Sequence, residues 1–151
     1  MVSVKLKKLE NFDLALPLPS YTSSGAAGAD IRASLKNKTE LVIKPGARVL
    51  VPTGLSFEIP HGFEIQVRPR SGISYKTSLM VLNSPGTIDS DYRGEVKIII
   101  GNLGTTDQVI EHGDRIAQIV IAAVEQCKFE EVNTLSSTTR DIGGFGSTGV
   151  N

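Results

Sequence analysis

The 151-residue chain contains no tryptophan and one cysteine, and aromatic residues make up only 5% of it. The single thiol, Cys127, has no second cysteine with which to form an internal disulfide, and we expect a structural thiol in a reducing compartment. The two histidines, His61 and His112, stand far apart without the spacing of paired ligands, which argues against a protein-bound zinc ion. The fold therefore depends on a hydrophobic core, for which one domain of this length is sufficient.

The chain also lacks an excess of charge of either sign. Sixteen basic and sixteen acidic residues cancel, so no long-range field attracts a polyanion or a charged membrane surface. No apolar run approaches the roughly 20 residues needed to cross a bilayer, and the N-terminal segment MVSVKLKKLE alternates instead of forming a secretory signal. We expect neither nucleic acid nor a membrane as partner, and we predict a cytoplasmic protein, although a nuclear, organellar or virus-encoded protein fits the same composition.

Short segments with period-two alternation are abundant, and turn signals rich in glycine and proline separate them. This pattern predicts an all-β fold, a jelly-roll-like β-barrel with one short helix. The alternating apolar positions are Leu41 and Ile43, Val49 and Val51, Leu55, Phe57 and Ile59, Phe63, Ile65 and Val67, and Val96, Ile98 and Ile100.

Two segments depart from simple alternation. RIAQIVIAAVEQC, residues 115–127, has apolar residues at helical spacing, but its isoleucines and valines favour a strand buried on both faces. SGISYKTSLMVL, residues 71–82, predicts the short helix, with Ser71 as its N-cap. The composition becomes polar and glycine-rich from about Leu135, so we predict a β domain over residues 1–134 and a flexible C-terminal arm over residues 135–151.

The arm contains the glycine-rich run GGFGSTG at residues 143–149. Gly144 and Gly149 reproduce the glycine spacing of a phosphate-binding loop, but Val150 and Asn151 stand where that motif requires Lys and Ser or Thr. The residues of the run alone leave open whether it contacts a ligand or is a tail without function.

Five segments place small, charged or turn residues between the apolar strands. Each is a weak functional signal when taken singly. In order they are AAGADIRA (26–33), RPRSG (68–72), NSPGTIDSDYRG (83–94), GDRIAQ (113–118) and the glycine-rich run. Their order and wording resemble the five motifs of the trimeric deoxyuridine triphosphatase (dUTPase) family, and the resemblance extends from Ala26 to Gly149.

The resemblance implies an enzyme that hydrolyses dUTP to dUMP and pyrophosphate, which keeps uracil out of DNA and supplies the precursor of thymidylate. Such a reaction needs a positioned water, a base and positive charge. By resemblance, Asp89 is the general base and Gln118 contacts the phosphates and the attacking water, although Gln118 could also be a satisfied polar group of the core. Mg²⁺ is implied on the triphosphate, with Asp30 reaching it through a bound water.

The resemblance also assigns the contacts to substrate. The turn Ser84-Pro85-Gly86-Thr87, for which Pro followed by Gly predicts type II, is expected to read the edge of uracil. Tyr92 is expected to pack under the deoxyribose, where a ribose hydroxyl would collide; a cross-strand aromatic of the core is its structural alternative. The residues assigned to substrate binding are Arg70, Ser71 and Gly72 for the phosphates, Asn83, Thr87, Ile88, Tyr92 and Lys97 for the nucleoside, Arg140 for the γ-phosphate and Phe145 for stacking on uracil.

In the family the arm and the hairpin of one site belong to different subunits, so the resemblance implies a homotrimer with shared active sites. The chain departs from the family pattern after Arg140, where Asp141 and Ile142 replace the usual small residue and its variable neighbour. This leaves the affinity of the arm open, but we expect activity to survive. Two alternatives are a dCTP deaminase of the same fold, which uses a glutamate in another motif setting, and a trimeric nucleotide-binding regulatory protein.

Overall fold

The computed structural model describes residues 2–144, and within them the chain forms eleven strands, one α-helix and one 3-10 helix. The tail from Phe145 onward lies outside the described residues. The strands are β1 (Lys5–Lys8), β2 (Ala29–Arg32), β3 (Leu41–Ile43), β4 (Arg48–Pro52), β5 (Leu55–Glu58), β6 (Phe63–Arg68), β7 (Leu79–Val81), β8 (Gly86–Ile88), β9 (Lys97–Asn102), β10 (Gln108–Ile110) and β11 (Arg115–Ala123). The helix α1 spans Ser71–Lys76 and the 3-10 helix spans Lys36–Lys38.

The strands pair antiparallel in four small sheets. The largest has the order β2-β11-β6-β8, a second has the order β4-β9-β7, and two further pairs are β1-β5 and β10-β3. Within the described residues, no two paired strands are consecutive in the chain, so the sheets are linked by crossing connections and not by simple hairpins. The all-β prediction is correct.

The core is formed by the positions that alternation predicts. Ile65 of β6 and Ile98 and Ile100 of β9 are almost completely buried, because alternate side chains of a strand point to the same face. Burying one such side chain contributes about 1.5–3 kcal/mol relative to leaving it exposed. The same core includes Ile43, Val51, Leu55, Phe57, Ile59, Val67 and Val96, as expected, together with Phe12, Ile31, Ile110 and Ile116.

The burial of strand β11 is concentrated in its first half. Ile116, Ala117 and Ile119 are buried, but residues 120–122 are half-buried, so the strand is not buried on both faces along its whole length. The register with β2 shifts between Arg115 and Ala117. Strand β2 pairs with β11 only as far as Ile119, so the rest of β11 has a neighbour on one side alone. Cys127, for which we expected a structural role, lies beyond the end of the strand and is exposed, so it does not belong to the core of this chain.

The helix is shorter than predicted. It ends at Lys76, where the hydroxyl of Thr77 donates to the carbonyl of Ile73 at 2.8 Å. The following residues form β7, because their pairing with β9 outweighs the local preference for helix. Ser71 is the first helical residue and Arg70 occupies the N-cap position without a side-chain cap bond, so the prediction of Ser71 as N-cap is wrong.

The turn at residues 84–87 is not of type II. That turn requires a positive φ at Gly86, but Gly86 is not among the positive-φ glycines and instead opens β8 opposite Val67. The Ser84–Pro85 peptide bond is cis. Pairing with β6 therefore sets the conformation of Gly86.

The chain leaves the β body after β11. The amide of Val124 donates to the carbonyl of Gly62 at 2.9 Å, and every residue from 124 to 142 is exposed. Phe129 and Leu135 are 92% and 88% exposed although both are apolar. The predicted boundary at residue 135 stays a prediction. Among the described residues, no helix has the length and apolar character needed to cross a membrane.

Candidate active site

The residues of the third motif line one cleft of about 370 Å³, which we call the hairpin cleft. It lies between β8, the turn that follows β8, and the neighbouring strands β4 and β9. Its lining comprises Leu50, Thr87, Ile88, Asp89, Tyr92, Glu95, Val96, Lys97 and Ile99. Five of the predicted site residues are therefore brought together here.

Asp89 is positioned by a tight turn at the end of β8. The amide of Tyr92 donates to the carbonyl of Asp89 at 3.2 Å, and Nη1 of Arg93 donates to the carbonyls of Ser90 and Tyr92 at 2.7 and 2.9 Å. The Asp89 side chain is exposed, and its carboxylate accepts no hydrogen bond from any residue between 2 and 144. An aspartate that only stabilises turn amides would be bonded to them, so the carboxylate is available to a water or a ligand.

Asn83 lines an adjoining depression that shares Leu50 and Ile99 with the hairpin cleft. Its side chain lies over Gly86, where an added Cβ atom would come within 2.8 Å of Nδ2 of Asn83. The absence of a side chain at Gly86 thus allows the amide of Asn83 to approach β8. The predicted base-reading residues are therefore neighbours, although the turn type was wrong.

Tyr92 is 45% exposed and lines the cleft, so it is not the core aromatic of the alternative interpretation. Its hydroxyl donates to the carbonyl of Glu95 at 3.1 Å. Lys97 begins β9, and its Nζ lies 3.6 Å from Oε2 of Glu95. Glu95, which was not among the predicted site residues, contacts both Tyr92 and Lys97.

The first, second and fourth motifs line another cleft of about 360 Å³, which we call the arginine cleft. It lies at the ends of β2, β6 and β11 beside the start of α1, because β11 pairs with both β2 and β6. Its lining comprises Thr22, Ala26, Ala27, Gly28, Asp30, Arg70, Ser71, Gly72, Arg115 and Gln118.

Two arginines bind the carboxylate of Asp30. Nε of Arg70 donates to Oδ1 at 2.7 Å, and Nη1 of Arg115 donates to Oδ2 at 3.1 Å. Two guanidinium groups against one carboxylate leave an excess of one positive charge in a cleft that also exposes the first residues of α1. Such an arrangement favours an anion. Arg115 was missed by the sequence analysis; its position in the fourth motif was the only signal for it.

Gln118 is held between two backbone segments. Its Nε2 donates to the carbonyl of Pro69 at 2.8 Å. A Cβ atom added to Gly28 would lie 3.1 Å from Cδ of Gln118 and closer still to its Oε1. Gln118 is thus half-buried and satisfied, as the core alternative requires, and it also lines the arginine cleft.

The two clefts are separate within one chain. Ile65 of β6 lies opposite both Ile88 of β8 and Ile121 of β11, so Asp89 is displaced from Gln118 by four residues along the sheet and two strands across it. At about 3.3 Å per residue and 4.8 Å per strand, the two residues are roughly 15 Å apart. They cannot contact the same water in a single chain.

Arg140 lines neither cleft of this chain. Its Nε donates to the carbonyl of Gly143 at 2.8 Å, and the amide of Asp141 donates to the hydroxyl of Thr138 at 2.9 Å. Among the described residues, no ion pair or hydrogen bond joins the carboxylate of Asp141 to Arg140. Phe145 lies outside the described residues.

The residues present fit a metal ion that is bound mainly by phosphate. Within residues 2–144, no group of three or more His, Cys, Asp or Glu side chains could hold an ion. Each oxygen of Asp30 accepts one arginine hydrogen bond and keeps further acceptor capacity. Magnesium usually retains several waters, so Asp30 suits a contact to such a water better than a place in the inner coordination sphere.

Comparison with known proteins gives a consistent result. The dUTPase family model matches residues 15–149. The deoxyuridine 5'-triphosphate nucleotidohydrolase of Bdellovibrio bacteriovorus is 58% identical over 98% of this chain and 97% of its own length. The enzyme of the same name from Rhizobium etli is 55% identical over 98% of this chain and 94% of its own length.

Solved structures show the same fold. A mutant dUTPase of Staphylococcus bacteriophage 80alpha with dUpNHpp superposes with a TM-score of 0.86 at 26% identity, over 98% of this chain and 99% of that chain. A mutant dUTPase from phage phi11 of S. aureus, described with a structural Mg(II) ion, has a TM-score of 0.77 at 23% identity over 89% of this chain and 99% of its own, which shows the fold alone. The jelly-roll-like fold is confirmed, and the chain belongs to the dUTPase family.

Proposed function

We propose that this chain hydrolyses dUTP to dUMP and pyrophosphate. The observation that carries the proposal is the exposed, unbonded carboxylate of Asp89 in a cleft with Thr87, Ile88 and Tyr92. The names of relatives that are more than half identical over nearly the whole chain support the same substrate. The reaction would keep uracil out of DNA and supply dUMP for thymidylate synthesis.

Asp89 acts as the general base in this proposal. It takes a proton from a water, whose oxygen forms a bond to the α-phosphorus. The bond between the α-phosphorus and the oxygen that bridges to the β-phosphorus breaks, and the β and γ phosphates leave together as pyrophosphate. A positioned carboxylate of this kind contributes about 10² to 10⁴ in rate.

The arginine cleft binds the triphosphate. Arg70 and Arg115 supply charge, the backbone of Ser71 and Gly72 supplies N–H donors at the start of α1, and Gln118 contacts the phosphates and the water. Asp30 would accept a hydrogen bond from a water of the Mg²⁺ ion, which neutralises charge on the triphosphate. Its two arginine bonds fix the direction of its carboxylate.

The hairpin cleft selects uracil. Asn83 and the backbone at Thr87, Ile88 and Lys97 pair with the edge of the base, as another base would. Cytosine reverses the donor and acceptor pattern, and each unmet buried group costs about 1–3 kcal/mol. The methyl group of thymine would overpack a tight slot.

One chain cannot supply the complete site, because Asp89 and Gln118 lie in separate clefts. We propose a homotrimer in which the hairpin cleft of one subunit faces the arginine cleft of another. Arg140 and Phe145 of the arm then close the site, with Arg140 at the γ-phosphate and Phe145 on uracil. Phe129 and Leu135 are apolar but do not pack against the β body of their own chain. Their exposure supports a C-terminal segment that packs against another subunit.

The test is an assay of all common nucleotides for both pyrophosphate and ammonia. We expect pyrophosphate from dUTP in the presence of Mg²⁺, with little from dCTP, dTTP or UTP. Ammonia from dCTP would identify the deaminase of the same fold. Binding of dUTP without any turnover would identify the regulatory protein. A cytoplasmic location remains a prediction that this assay does not address.

A further inference from the structure

The ring of Tyr92 lies against Gly94 in a space that only glycine leaves free. A Cβ atom added to Gly94 would lie 2.5 Å from Cζ of Tyr92 and 3.0 Å from Cε2, and closer still to the hydroxyl oxygen. These separations are shorter than real Cβ contacts, so a methyl group at position 94 would force a shift. The atoms that would have to move are those of the tyrosine ring.

The hydroxyl of Tyr92 holds this same end of the ring by a hydrogen bond. It donates to the carbonyl of Glu95 at 3.1 Å. The side chain of Glu95 is itself anchored, because its Oε1 accepts hydrogen bonds from the amide of Gly54 and from Nδ2 of Asn11, both at 2.8 Å. The position of the ring thus depends on two features. Gly94 leaves the space that the ring occupies, and the carbonyl of Glu95, a residue whose side chain bonds the turn between β4 and β5, accepts the bond from the ring hydroxyl.

We propose that Gly94 is a specificity-determining residue, which selects 2'-deoxyribose over ribose by leaving the space that the Tyr92 ring occupies. The inference rests on the proposed function, in which Tyr92 packs under the sugar. Tyr92 lines the same cleft as Asp89, so a displaced ring changes the surface on which the sugar lies. Gly94 does not line the cleft and acts only through Tyr92.

The test is a double-mutant cycle on sugar selectivity. The ratio of kcat/KM for dUTP to that for UTP is measured for the wild type, Gly94→Ala, Tyr92→Ala and the double variant. We expect each single variant to lower this ratio about tenfold or more, the usual scale for discrimination by one small group. The double variant should equal Tyr92→Ala, because the methyl at position 94 then meets no ring.

A matched control is Gly104→Ala, where an added Cβ atom would lie 2.7 Å from Cβ of Ser78, outside both clefts. It should leave the ratio at the wild-type value. If Gly94→Ala does not fold, the double variant should fold, because the collision is gone. An unchanged ratio in Gly94→Ala, additive losses in the cycle, or a double variant that also fails to fold would overturn the inference. A wild type that does not cleave dUTP would instead overturn the proposed function.

Discussion

Gln118 on β11 lies directly opposite Asp30 on β2. This register brings the amide of one motif beside the carboxylate of another, although the two residues are far apart in the chain. The two arginines that bind Asp30 come from the loop before α1 and from the first residue of β11. The antiparallel pairing of β2, β11 and β6 therefore assembles the arginine cleft.

Replacing Arg70 by alanine should weaken binding of the triphosphate. The change removes a charge-assisted hydrogen bond and leaves Asp30 with one arginine partner, and bonds of this kind are worth about 1.5–3 kcal/mol. We expect KM for dUTP to rise by roughly 10- to 100-fold, with a much smaller effect on inhibition by dUMP, measured by steady-state kinetics. Arg68→Ala is the matched control, because Arg68 bonds Gln66 and does not line the cleft; equal losses in both variants would contradict the assignment.

Replacing Asp89 by asparagine should abolish the base without changing the shape of the hairpin cleft. Turnover should fall by about 10² to 10⁴, whereas the dissociation constant for a non-hydrolysable dUTP analogue, measured by calorimetry, should stay close to the wild-type value. Asp91→Asn changes an exposed aspartate of the same turn that does not line the cleft. Normal turnover in Asp89→Asn, or an equal loss in Asp91→Asn, would remove Asp89 from the mechanism.

Removing residues 139–151 should abolish most turnover without unfolding the β body. Residues 139–142 are exposed. The hydrogen bond from the amide of Val124 to the carbonyl of Gly62, which lies before the deleted segment, is kept. The thermal midpoint should therefore change little while kcat/KM for dUTP collapses. Full activity in the truncated protein would show that Arg140 and Phe145 are dispensable.

The carboxylate of Asp13 should contribute to stability in a defined range of pH. Nζ of Lys38 at 2.7 Å, the amide of Ala15 at 2.9 Å and Nε2 of His112 at 3.0 Å contact it and lower the pKa of Asp13 from 3.8 to about 2. Because the folded state has the lower pKa, the contribution is complete above about pH 4 and is lost as the pH falls towards 2.

The prediction for Asp13 is tested by urea unfolding of the wild type and Asp13→Asn between about pH 5 and 2. The difference in free energy of unfolding should be constant at the upper end of this range and should shrink below about pH 4. Asp107→Asn removes an exposed carboxylate and controls for the loss of surface charge. A difference that persists unchanged at pH 2 would show that the ionised Asp13 is not the stabilising form.

Alternation predicted the strands because each half-buried strand encodes its buried face locally. Ile65, Ile98 and Ile100 are buried as the pattern required. Local signals failed where partners from distant segments decide the structure. Leu79 and Val81 lie in the segment predicted to be helical but pair with β9. Gly86, predicted as part of a type II turn, is drawn into β8 by pairing with β6.

The sequence motifs predicted which residues belong to the site, but they did not predict how these residues are arranged in space. No local pattern tells that Arg115 binds Asp30, since the pairing of β2 and β11 brings them together. The need for glycine at positions 28 and 94 becomes visible only when the side chains of Gln118 and Tyr92 are placed beside them. The separation of Asp89 from Gln118 likewise follows from register across three strands, which a linear sequence does not display.

The central claim is that the hairpin cleft of one subunit and the arginine cleft of another form one active site. Asp89→Asn and Gln118→Ala chains, each nearly inactive alone, can be mixed by co-refolding, and dUTP turnover measured. In randomly mixed closed rings, about one quarter of the sites should combine two intact contributions, so activity should return to roughly that fraction of wild type. Mixtures that stay as inactive as their components, although subunits have exchanged, would contradict the account.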